Sequence, residues 1–404
     1  MAVNLSAPEQ LLSVPGVRVG TACAGIKQTQ RDDVAVFELA DGSETGGVFT
    51  QSHFSAAPVL LARQRQQRVR AWVVNSGNAN AATGAHGVDD AEQVCAHAGR
   101  QLQIPADEIQ PFSTGVIGER LPVDKLKTAV DTASAQLSED GWLAAAQAIM
   151  TTDTCAKGLS RQIDIEGHQI TVTGIAKGSA MIKPDMATML AYLACDARVA
   201  PGLAQKLVNT AVEKSFNRVT VDGDTSTNDS FVLACTGQSS LPMIASENEP
   251  AYQLLSDAIN EVATYLAQAL VRDGEGATKF VTVHVKGGRT PSDCLKVAYT
   301  VAESPLVKTA MFAGDANWGR FCMAIGRSPV EGLLPEKVQL WLDDVQVAKD
   351  GLMDQSYSES LGAAVLAQDE FVVTIDLGLG EAQETVWTTD LSYEYVRINA
   401  EYRT

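Results

Sequence analysis

Thr188 is the residue whose surroundings most strongly suggest covalent chemistry. It lies in the stretch AKGSAMIKPDMATMLAYLAC, residues 176–195, where a glycine- and proline-containing segment leads into an apolar run. A threonine hydroxyl is a weak nucleophile until a base removes its proton. A cut between Ala187 and Thr188 would create an α-amine with a pKa of about 7.7–8, which could be that base. From this pattern alone an ordinary strand threonine remains the simpler interpretation.

The residues around this bond suit such a cut. Ala187 is small, so its carbonyl carbon could be reached, and Gly178 allows an unusual backbone turn. Pro184 restricts the chain on the approach. The apolar run TMLAYLAC predicts a buried strand, residues 188–195, that would hold a new N-terminus in place.

Other catalytic patterns are weakly supported. Five histidines and seven cysteines are scattered, without HExxH, HxH or CxxC spacing, and there is no GxSxG nucleophile motif. We therefore predict no metal, no cofactor and no disulfide framework. If the protein transfers acyl groups, its general base is not expected to be histidine.

The elements that must position these residues come in runs of strands followed by runs of helices. Strands are predicted in residues 15–75, 167–179, 279–288, 295–304 and from 369 to the end. Helices are predicted over 89–104, 121–137, 201–216 and 252–274 from apolar residues at helical spacing. This order favours an α+β layered fold over a strict βαβ alternation.

Size and charge narrow the class of protein. A chain of 404 residues predicts two or three packed units. The net charge of −18 argues against nucleic-acid binding, because such a surface repels phosphate. No apolar run is long enough for a membrane helix and the first residues do not resemble a signal peptide, so we expect a cytoplasmic protein without membrane contact.

A set of longer blocks, in order along nearly the whole chain, resembles one enzyme family. The stretch KGSAMIKPDMATML is similar to the processing site of ornithine acetyltransferases, also called glutamate N-acetyltransferases, of arginine biosynthesis. The further matching blocks are NSGNANAATG (75–84), STGVIGERLP (113–122), MTTDT (150–154), TVDGDTSTNDS (220–230), RDGEGATKF (272–280), AGDANWGR (313–320) and NAEYRT (399–404). Such long, ordered matches are highly specific.

The resemblance implies what the chain does and how it is organised. It implies self-cleavage into an α chain, residues 1–187, and a β chain, residues 188–404, in a layered α/β sandwich assembled as an α2β2 heterotetramer. Thr188 would take the acetyl group from N-acetylornithine and pass it to glutamate, in a ping-pong reaction without a cofactor. Some relatives also use acetyl-CoA as donor, and no residue here decides that point.

The resemblance also implies roles for other residues. Thr114 and Gly115 would form an oxyanion hole, which suits a hydroxyl and a backbone N–H at a glycine. Lys177 would bind a substrate carboxylate and lower the pKa of the Thr188 amine. Glu275 would bind the δ-amine of ornithine. The remaining substrate-binding residues are Thr151 or Thr152, with the choice open, together with Asn399 and Thr404.

Two other functions remain open at this point. One is a related self-processed aminopeptidase or amidohydrolase, which would hydrolyse its substrate whether or not glutamate is present. The other is an uncleaved protein that binds an amino acid without reacting with it, and intact mass would distinguish this protein from a cleaved enzyme.

Overall fold

The computed structural model describes residues 2–27, 30–183 and 189–401. The chain forms two compact units, in agreement with the number expected from its length. The larger unit comprises Ser6–Asn217 and Thr225–Leu270, and the smaller comprises Met1–Leu5, Arg218–Asp224 and Val271–Thr404. These compact units are not the predicted α and β chains, 1–187 and 188–404, and the division into two chains stays a prediction.

The larger unit is built from strands and helices in the first two thirds of the sequence. Its strands are β1 (Val17–Ala22), β2 (Val34–Leu39), β3 (Glu44–Phe49), β4 (Ala71–Asn78), β5 (Ile109–Val116), β6 (Lys157–Ile165), β7 (His168–Lys177), β8 (Leu190–Cys195) and β9 (Ser230–Cys235). Its helices are α1 (Ala57–Gln64), α2 (Gly84–Leu102), α3 (Val123–Ala135), α4 (Trp142–Ala148), α5 (Leu203–Lys214) and α6 (Pro250–Arg272), the last of which runs into the smaller unit.

These strands form two sheets. A four-stranded sheet has the order β1-β2-β4-β5, and a five-stranded sheet has the order β3-β9-β8-β7-β6. The β4–β5 and β8–β9 pairs are parallel, and the other pairs are antiparallel. Strand β8, which follows the predicted cleavage site, therefore lies inside the five-stranded sheet between β7 and β9.

The two sheets of the larger unit face each other across an aromatic core. The ring of Phe37 from β2 stacks on that of Tyr192 from β8, with centroids 5.3 Å apart, and the Trp72 ring from β4 lies 5.7 Å from the same tyrosine. All three side chains are completely buried. Burying a large apolar side chain stabilises a fold by about 1.5–3 kcal/mol, so this cluster contributes strongly to holding the sheets together.

Helices cover the outer faces of both sheets. Apolar side chains of α2 and α3, such as Val94 and Leu126, pack on Val36 and Val73 of the four-stranded sheet. On the five-stranded sheet, β3 approaches α5 so closely that a Cβ on Gly46 would lie 2.7 Å from the α5 backbone. The predicted α+β fold, a layered α/β sandwich, is thereby confirmed.

The smaller unit has one six-stranded sheet of order β13-β12-β11-β14-β10-β15. Its strands are β10 (Phe280–Gly288), β11 (Gln339–Leu342), β12 (Val345–Lys349), β13 (Leu352–Met353), β14 (Glu370–Asp376) and β15 (Ala382–Thr389). Its helices are α7 (Pro291–Ala302), α8 (Pro305–Ala313), α9 (Trp318–Gly326), α10 (Glu359–Leu366) and α11 (Tyr393–Ala400). The strands and α7 bury a separate apolar core.

Many predicted elements are confirmed, and one predicted strand is wrong. The sequence predicts residues 295–304 as a strand paired with 279–288, but residues 295–302 belong to helix α7, Glu303 ends that helix and Ser304 caps α8. The hydroxyl of Thr290 caps this helix by accepting the Asp293 N–H, and Pro291 occupies the first turn, where it is tolerated. The buried positions Cys294, Val297, Ala298, Val301 and Ala302 follow helical spacing, which outweighs the local alternation of polar and apolar residues.

The end of the chain also differs from its prediction as strand throughout. Strand β15 ends at Thr389, and helix α11 follows after Ser392, whose hydroxyl accepts the Tyr395 N–H. A serine immediately before the first helical turn is a typical N-cap, so the signal for this helix was present in the sequence.

No helix in the described part of the chain is both long and apolar enough to cross a membrane.

Candidate active site

The stretch that carries Thr188 is bounded by two paired strands. Strand β7 ends at Lys177 and β8 begins at Leu190, and these two residues are partners in the antiparallel register. The chain thus leaves the sheet at Lys177 and re-enters it beside the same point. Ala187 and Thr188 themselves, like Thr404, lie outside the described residues.

Thr114 and Gly115 lie at the C-terminal end of β5, beside β4. Gly115 has φ +133°, in a region that favours glycine. A Cβ at this position would lie only 2.5 Å from the backbone nitrogen of Asn78. Glycine is therefore required for β5 to pass this irregular end of β4, and the adjacent Thr114 is held in a defined position.

The ammonium group of Lys177 contacts the Thr114 hydroxyl across the two sheets of the larger unit. Lys177 Nζ lies 3.1 Å from Thr114 Oγ1, and both side chains are buried. An ammonium group has only donors, so the threonine oxygen must be the acceptor in this bond. The Thr114 hydrogen then points elsewhere and can be donated to another oxygen, as an oxyanion hole requires.

Asp153 holds the backbone at two points, Gly178, which directly follows Lys177, and Thr151. Its Oδ1 accepts the Gly178 N–H at 2.7 Å and Lys157 Nζ at 2.7 Å, and its Oδ2 accepts the Thr151 N–H at 2.9 Å. Burial alone would raise the pKa of Asp153, but the charges of Lys157 and Lys177 and these hydrogen bonds lower it well below its usual range. Asp153 is therefore ionised and anchors the residue that follows Lys177.

The two candidate threonines are placed differently. Thr152 Oγ1 lies 2.7 Å from Ser179 Oγ, two residues after Lys177. The Thr151 backbone is held by Asp153 and by Arg31, whose guanidinium donates to the Thr151 carbonyl at 3.0 Å. The structure thus links the Thr152 hydroxyl directly to the segment that leads toward position 188.

Positive charge is concentrated around this group although the protein is strongly acidic. Burial, together with the charges of Arg31 and Lys177, lowers the pKa of Lys27 to about 8. Lys27 Nζ donates to the Ala148 carbonyl at 2.8 Å, just ahead of the MTTDT block.

We call Thr114, Gly115, Thr152, Lys177 and Ser179 the hydroxyl–lysine cluster, and it lies wholly in the larger unit.

Sequence reasoning missed several residues that support this cluster. Ser113 Oγ donates to Asn75 Oδ1 at 2.6 Å, and Asn228 Nδ2 donates to the Ser113 carbonyl at 2.8 Å. Asn75 and Asn228 both stand in blocks that carried the family resemblance, so their polar character next to apolar strands was an available signal. Asp153 also stands in such a block, MTTDT, whereas Lys27 lies outside the blocks and had no comparable signal.

Glu275 and Asn399 meet in the smaller unit. Asn399 Nδ2 donates to Glu275 Oε2 at 2.8 Å, and Glu275 is buried. The loop carrying Glu275 is held against the start of α11, because Ser392 Oγ donates to the Gly276 carbonyl at 2.6 Å. Two of the predicted binding residues are thereby brought together from positions 124 apart in the sequence.

Tyr395 extends this second group, and sequence reasoning did not single it out. Its hydroxyl lies 3.2 Å from Asp222 Oδ2. Burial, followed by the charges of Asp222, Asp224 and Glu275, raises the pKa of Tyr395 well above its usual value. These carboxylates give the group an anionic character that suits a cationic amine.

No group of three or more histidine, cysteine, aspartate or glutamate side chains that could hold a metal occurs in the part of the chain that the structure describes.

Comparison with known proteins decides the family. A model described as the ArgJ family matches residues 18–404. The chain belongs to the ArgJ family. The "Arginine biosynthesis bifunctional protein ArgJ" of Pseudomonas syringae pv. tomato is 51% identical over 405 residues, with 100% of each chain covered. The protein of the same name from Pseudomonas fluorescens is also 51% identical, with 100% of each chain covered.

A solved structure is also similar to this ArgJ-family chain. The arginine biosynthesis bifunctional protein argJ of Bacillus halodurans is 35% identical and covers 51% of this chain and 96% of its own, with a TM-score of 0.49. The resemblance to ornithine acetyltransferases of arginine biosynthesis, stated from the sequence blocks, is confirmed by the family match and the full-length relatives.

Proposed function

We propose that the chain transfers the acetyl group of N-acetylornithine to glutamate, through an acetyl ester on Thr188, in arginine biosynthesis. The observation that carries this proposal is its identity of 51% over the full length to relatives named as arginine biosynthesis proteins. The chain is accordingly an acyltransferase. The reaction exchanges an acyl group between two amines, and neither a metal nor an organic cofactor enters any of its steps.

Self-cleavage is the first step of the proposed mechanism. The Thr188 oxygen attacks the Ala187 carbonyl carbon, the C–N bond breaks, and the released nitrogen takes up a proton as the α-amine. Water then hydrolyses the resulting ester, which frees the Ala187 carboxylate and restores the Thr188 hydroxyl. An α-amine ordinarily has a pKa of about 7.7–8, so the new amine can serve as the base for the next step.

Acetyl transfer then uses the same oxygen twice. Thr188 Oγ attacks the acetyl carbonyl of N-acetylornithine, ornithine leaves with the proton held by the α-amine, and an acetyl ester remains. The amine of glutamate attacks this ester and restores Thr188. The Thr114 hydroxyl and the Gly115 N–H would stabilise the oxyanion in both halves, a role that the Lys177–Thr114 hydrogen bond supports.

Several further residues match groups of the substrate chemically. We propose that Thr152, rather than Thr151, contacts the substrate, because its hydroxyl bonds to Ser179 in the Lys177 segment. Lys177 suits a substrate carboxylate. Its charge and that of Lys27 interact, since Lys177 helps to lower the pKa of Lys27. Glu275, oriented by Asn399, suits the δ-ammonium of ornithine. A binding role for Thr404 stays a proposal from the resemblance alone.

The decisive assay compares ornithine release with and without glutamate. We expect glutamate to accelerate release of ornithine from N-acetylornithine and N-acetylglutamate to accumulate in equal amount. Release of ornithine and acetate at the same rate without glutamate would instead identify the hydrolase that the sequence left open.

A second donor is part of the proposal. Both Pseudomonas relatives carry the word bifunctional in their names, which supports use of acetyl-CoA as well as N-acetylornithine. Incubation with acetyl-CoA and glutamate should yield N-acetylglutamate and free CoA. Failure to do so, in a preparation that transfers from N-acetylornithine, would restrict the enzyme to recycling.

The assembly belongs to the same proposal. We expect the two cleaved chains to form an α2β2 heterotetramer in the cytoplasm, as the resemblance implies. Mass measurement in native buffer tests the stoichiometry.

A further inference from the structure

Asp229 is a buried carboxyl group that the mechanism above does not use. It directly precedes β9, whose first residue, Ser230, is the parallel partner of Leu190 at the start of β8. The Ser230 N–H donates to the Met189 carbonyl at 2.8 Å. Asp229 thus lies beside Met189, the residue covalently joined to Thr188.

The contacts of Asp229 tie it to that backbone. The backbone N–H groups of Met189 and Ser226 and the Ser226 hydroxyl favour the charged form of its carboxyl group and so oppose the rise in its pKa. Its own carbonyl accepts the Thr50 N–H at 3.0 Å. The backbone of Asp229 is therefore fixed by Thr50, and its carboxyl group interacts with the backbone N–H of Met189, the residue after position 188.

The burial of this carboxyl group is unusual for a group with only structural duties. Asp229 is 2% exposed, and its Oδ2 has no hydrogen-bond partner in the described part of the chain. Burial raises the pKa of Asp229 well above its usual value, against the opposing effect of the Ser226 contacts and the Lys177 charge. An apolar residue would fill the same space without this desolvation cost.

We infer that Asp229 is a positioning residue for Thr188, acting through the backbone N–H of Met189. By holding the peptide unit that joins residues 188 and 189, it fixes the nucleophile both for self-cleavage and for acetyl transfer. The inference rests on the proposed function, because Asp229 can position a nucleophile only if Thr188 is that nucleophile. Misplacing a reacting group by about 1 Å can lower a rate by about 10²-fold, so such a duty explains a costly buried acid.

Two substitutions, one that keeps an acceptor oxygen and one that removes it, test the positioning role. In Asp229→Asn the amide oxygen can still accept the Met189 N–H, whereas in Asp229→Leu no acceptor remains. Asp196 provides a matched control, because it is also buried in the larger unit and its Oδ1 accepts a backbone N–H, that of Thr171, at 2.8 Å. It follows the other end of β8, away from position 188.

The experiment measures cleavage and turnover of the full chain. For Asp229→Leu we expect self-cleavage and kcat for acetyl transfer to fall by about 10²-fold while KM for N-acetylornithine changes by less than about threefold. Asp229→Asn should recover most of both losses, and Asp196→Leu should leave both rates within about twofold of the wild type. Thermal melting checks that each variant is folded.

Three results would overturn the inference: wild-type rates in folded Asp229→Leu, an Asn variant as slow as the Leu variant, or an equal defect in Asp196→Leu. If Asp229→Leu does not fold, the Asn variant alone decides, because a folded but slow Asn variant contradicts the inference. Thr188→Ala separates the two levels of the proposal. Cleavage and transfer by Thr188→Ala refute the proposed function, whereas an inert Thr188→Ala beside a fully active Asp229→Leu refutes only the positioning role.

Discussion

The direction of one hydrogen bond decides what Thr114 can do. Lys177 has three N–H donors and no acceptor, so the Thr114 oxygen accepts at 3.1 Å and its own hydrogen is left for another acceptor. A threonine whose O–H was instead donated to a carbonyl oxygen could not stabilise an oxyanion. The Lys177 ammonium group therefore does more than add charge, because it sets the orientation of the donor.

The first prediction concerns Thr114→Val, which removes the hydroxyl and keeps the shape of the side chain. We expect kcat for acetyl transfer to fall by about 10²–10³-fold, because one of two oxyanion donors is lost and the Gly115 N–H remains. Thr114→Ser, which keeps the hydroxyl, should stay within about tenfold of the wild type. A Val variant with near-normal kcat would remove Thr114 from the oxyanion hole.

The second prediction concerns the charge of Glu275. Glu275→Gln retains a similar shape but no longer pairs a carboxylate with the substrate ammonium, and a charge-assisted hydrogen bond is worth about 1.5–3 kcal/mol. We expect KM for N-acetylornithine to rise by about tenfold to 10²-fold, measured by initial rates. Glu261→Gln is the control, since Glu261 is an exposed residue of the other unit. An unchanged KM in Glu275→Gln would exclude ammonium binding by this residue.

Among the elements, the turn formed by residues 151–153 and the end of β7 depend on one ion pair. Asp153 and Lys157 are completely buried and 2.7 Å apart, and the same carboxylate holds the backbone N–H groups of Thr151 and Gly178. Removing one partner of a buried pair leaves an uncompensated charge, which is far costlier than replacing both. The pair thus couples the MTTDT block to the segment before the predicted cut.

The third prediction follows from this arrangement. Asp153→Ala should lower the free energy of unfolding by about 3–5 kcal/mol at pH 7, measured by urea denaturation. The double variant Asp153→Ala/Lys157→Met should recover part of the loss, since the buried charge is gone but the two backbone N–H groups still lack their acceptor. Asp257→Ala, at an exposed site of α6, should change stability by less than about 0.5 kcal/mol.

The pH dependence of this loss has a definite sign. The folded pKa of Asp153 is below its unfolded value, so its contribution is fully present above the unfolded pKa and is lost as the pH falls through the folded pKa. The stability difference between the wild type and Asp153→Ala should therefore be constant near neutrality and shrink in acid below about pH 4. A difference that grows as the pH falls would contradict the ionised state of Asp153.

Sequence patterns were reliable for elements whose stabilising contacts are local. Helix α6 and strands β2 and β4 were recognised from apolar periodicity, because each buries one face or both along its length. Helix α7 is not indicated by residues 295–304 alone, because Thr290 and Pro291, which mark its start, precede that segment. Its apolar residues fit either period until that cap is considered.

The candidate site shows the corresponding limit. Thr114, Gly115, Lys177, Glu275 and Asn399 could be named from blocks of sequence, but not the bonds between them. The Lys177–Thr114 contact joins residues 63 apart on two different sheets, and the Glu275–Asn399 contact joins a loop to a helix that was predicted as a strand. The sequence alone does not single out Asp229, because its place beside Met189 depends on the β8–β9 register rather than on its sequence neighbours.

For the molecule as a whole, the predicted cut runs through one sheet. In the order β3-β9-β8-β7-β6, strands β3, β7 and β6 precede position 188, whereas β9 and β8 follow it. The β7–β8 and β3–β9 ladders would therefore join the α chain to the β chain. Cleavage would separate the chains covalently but would leave these backbone hydrogen bonds and the aromatic core between the sheets intact.

The fourth prediction is that the two chains remain associated after cleavage. They should elute together in size-exclusion chromatography in native buffer and separate only in denaturant, because the shared sheet and core must unfold first. Recovery of a folded, separate β chain from native buffer would contradict the view that the shared sheet holds the two chains together.

The most direct test of the central claim is the intact mass of the purified wild type and of Thr188→Ala under denaturing conditions. We predict two wild-type chains that meet at the Ala187–Thr188 bond, with Thr188 as the first residue of the second, and a single uncleaved, inactive Thr188→Ala chain of 42.9 kDa. A wild-type preparation that consists of one unbroken chain and still transfers acetyl groups at full rate would contradict the account.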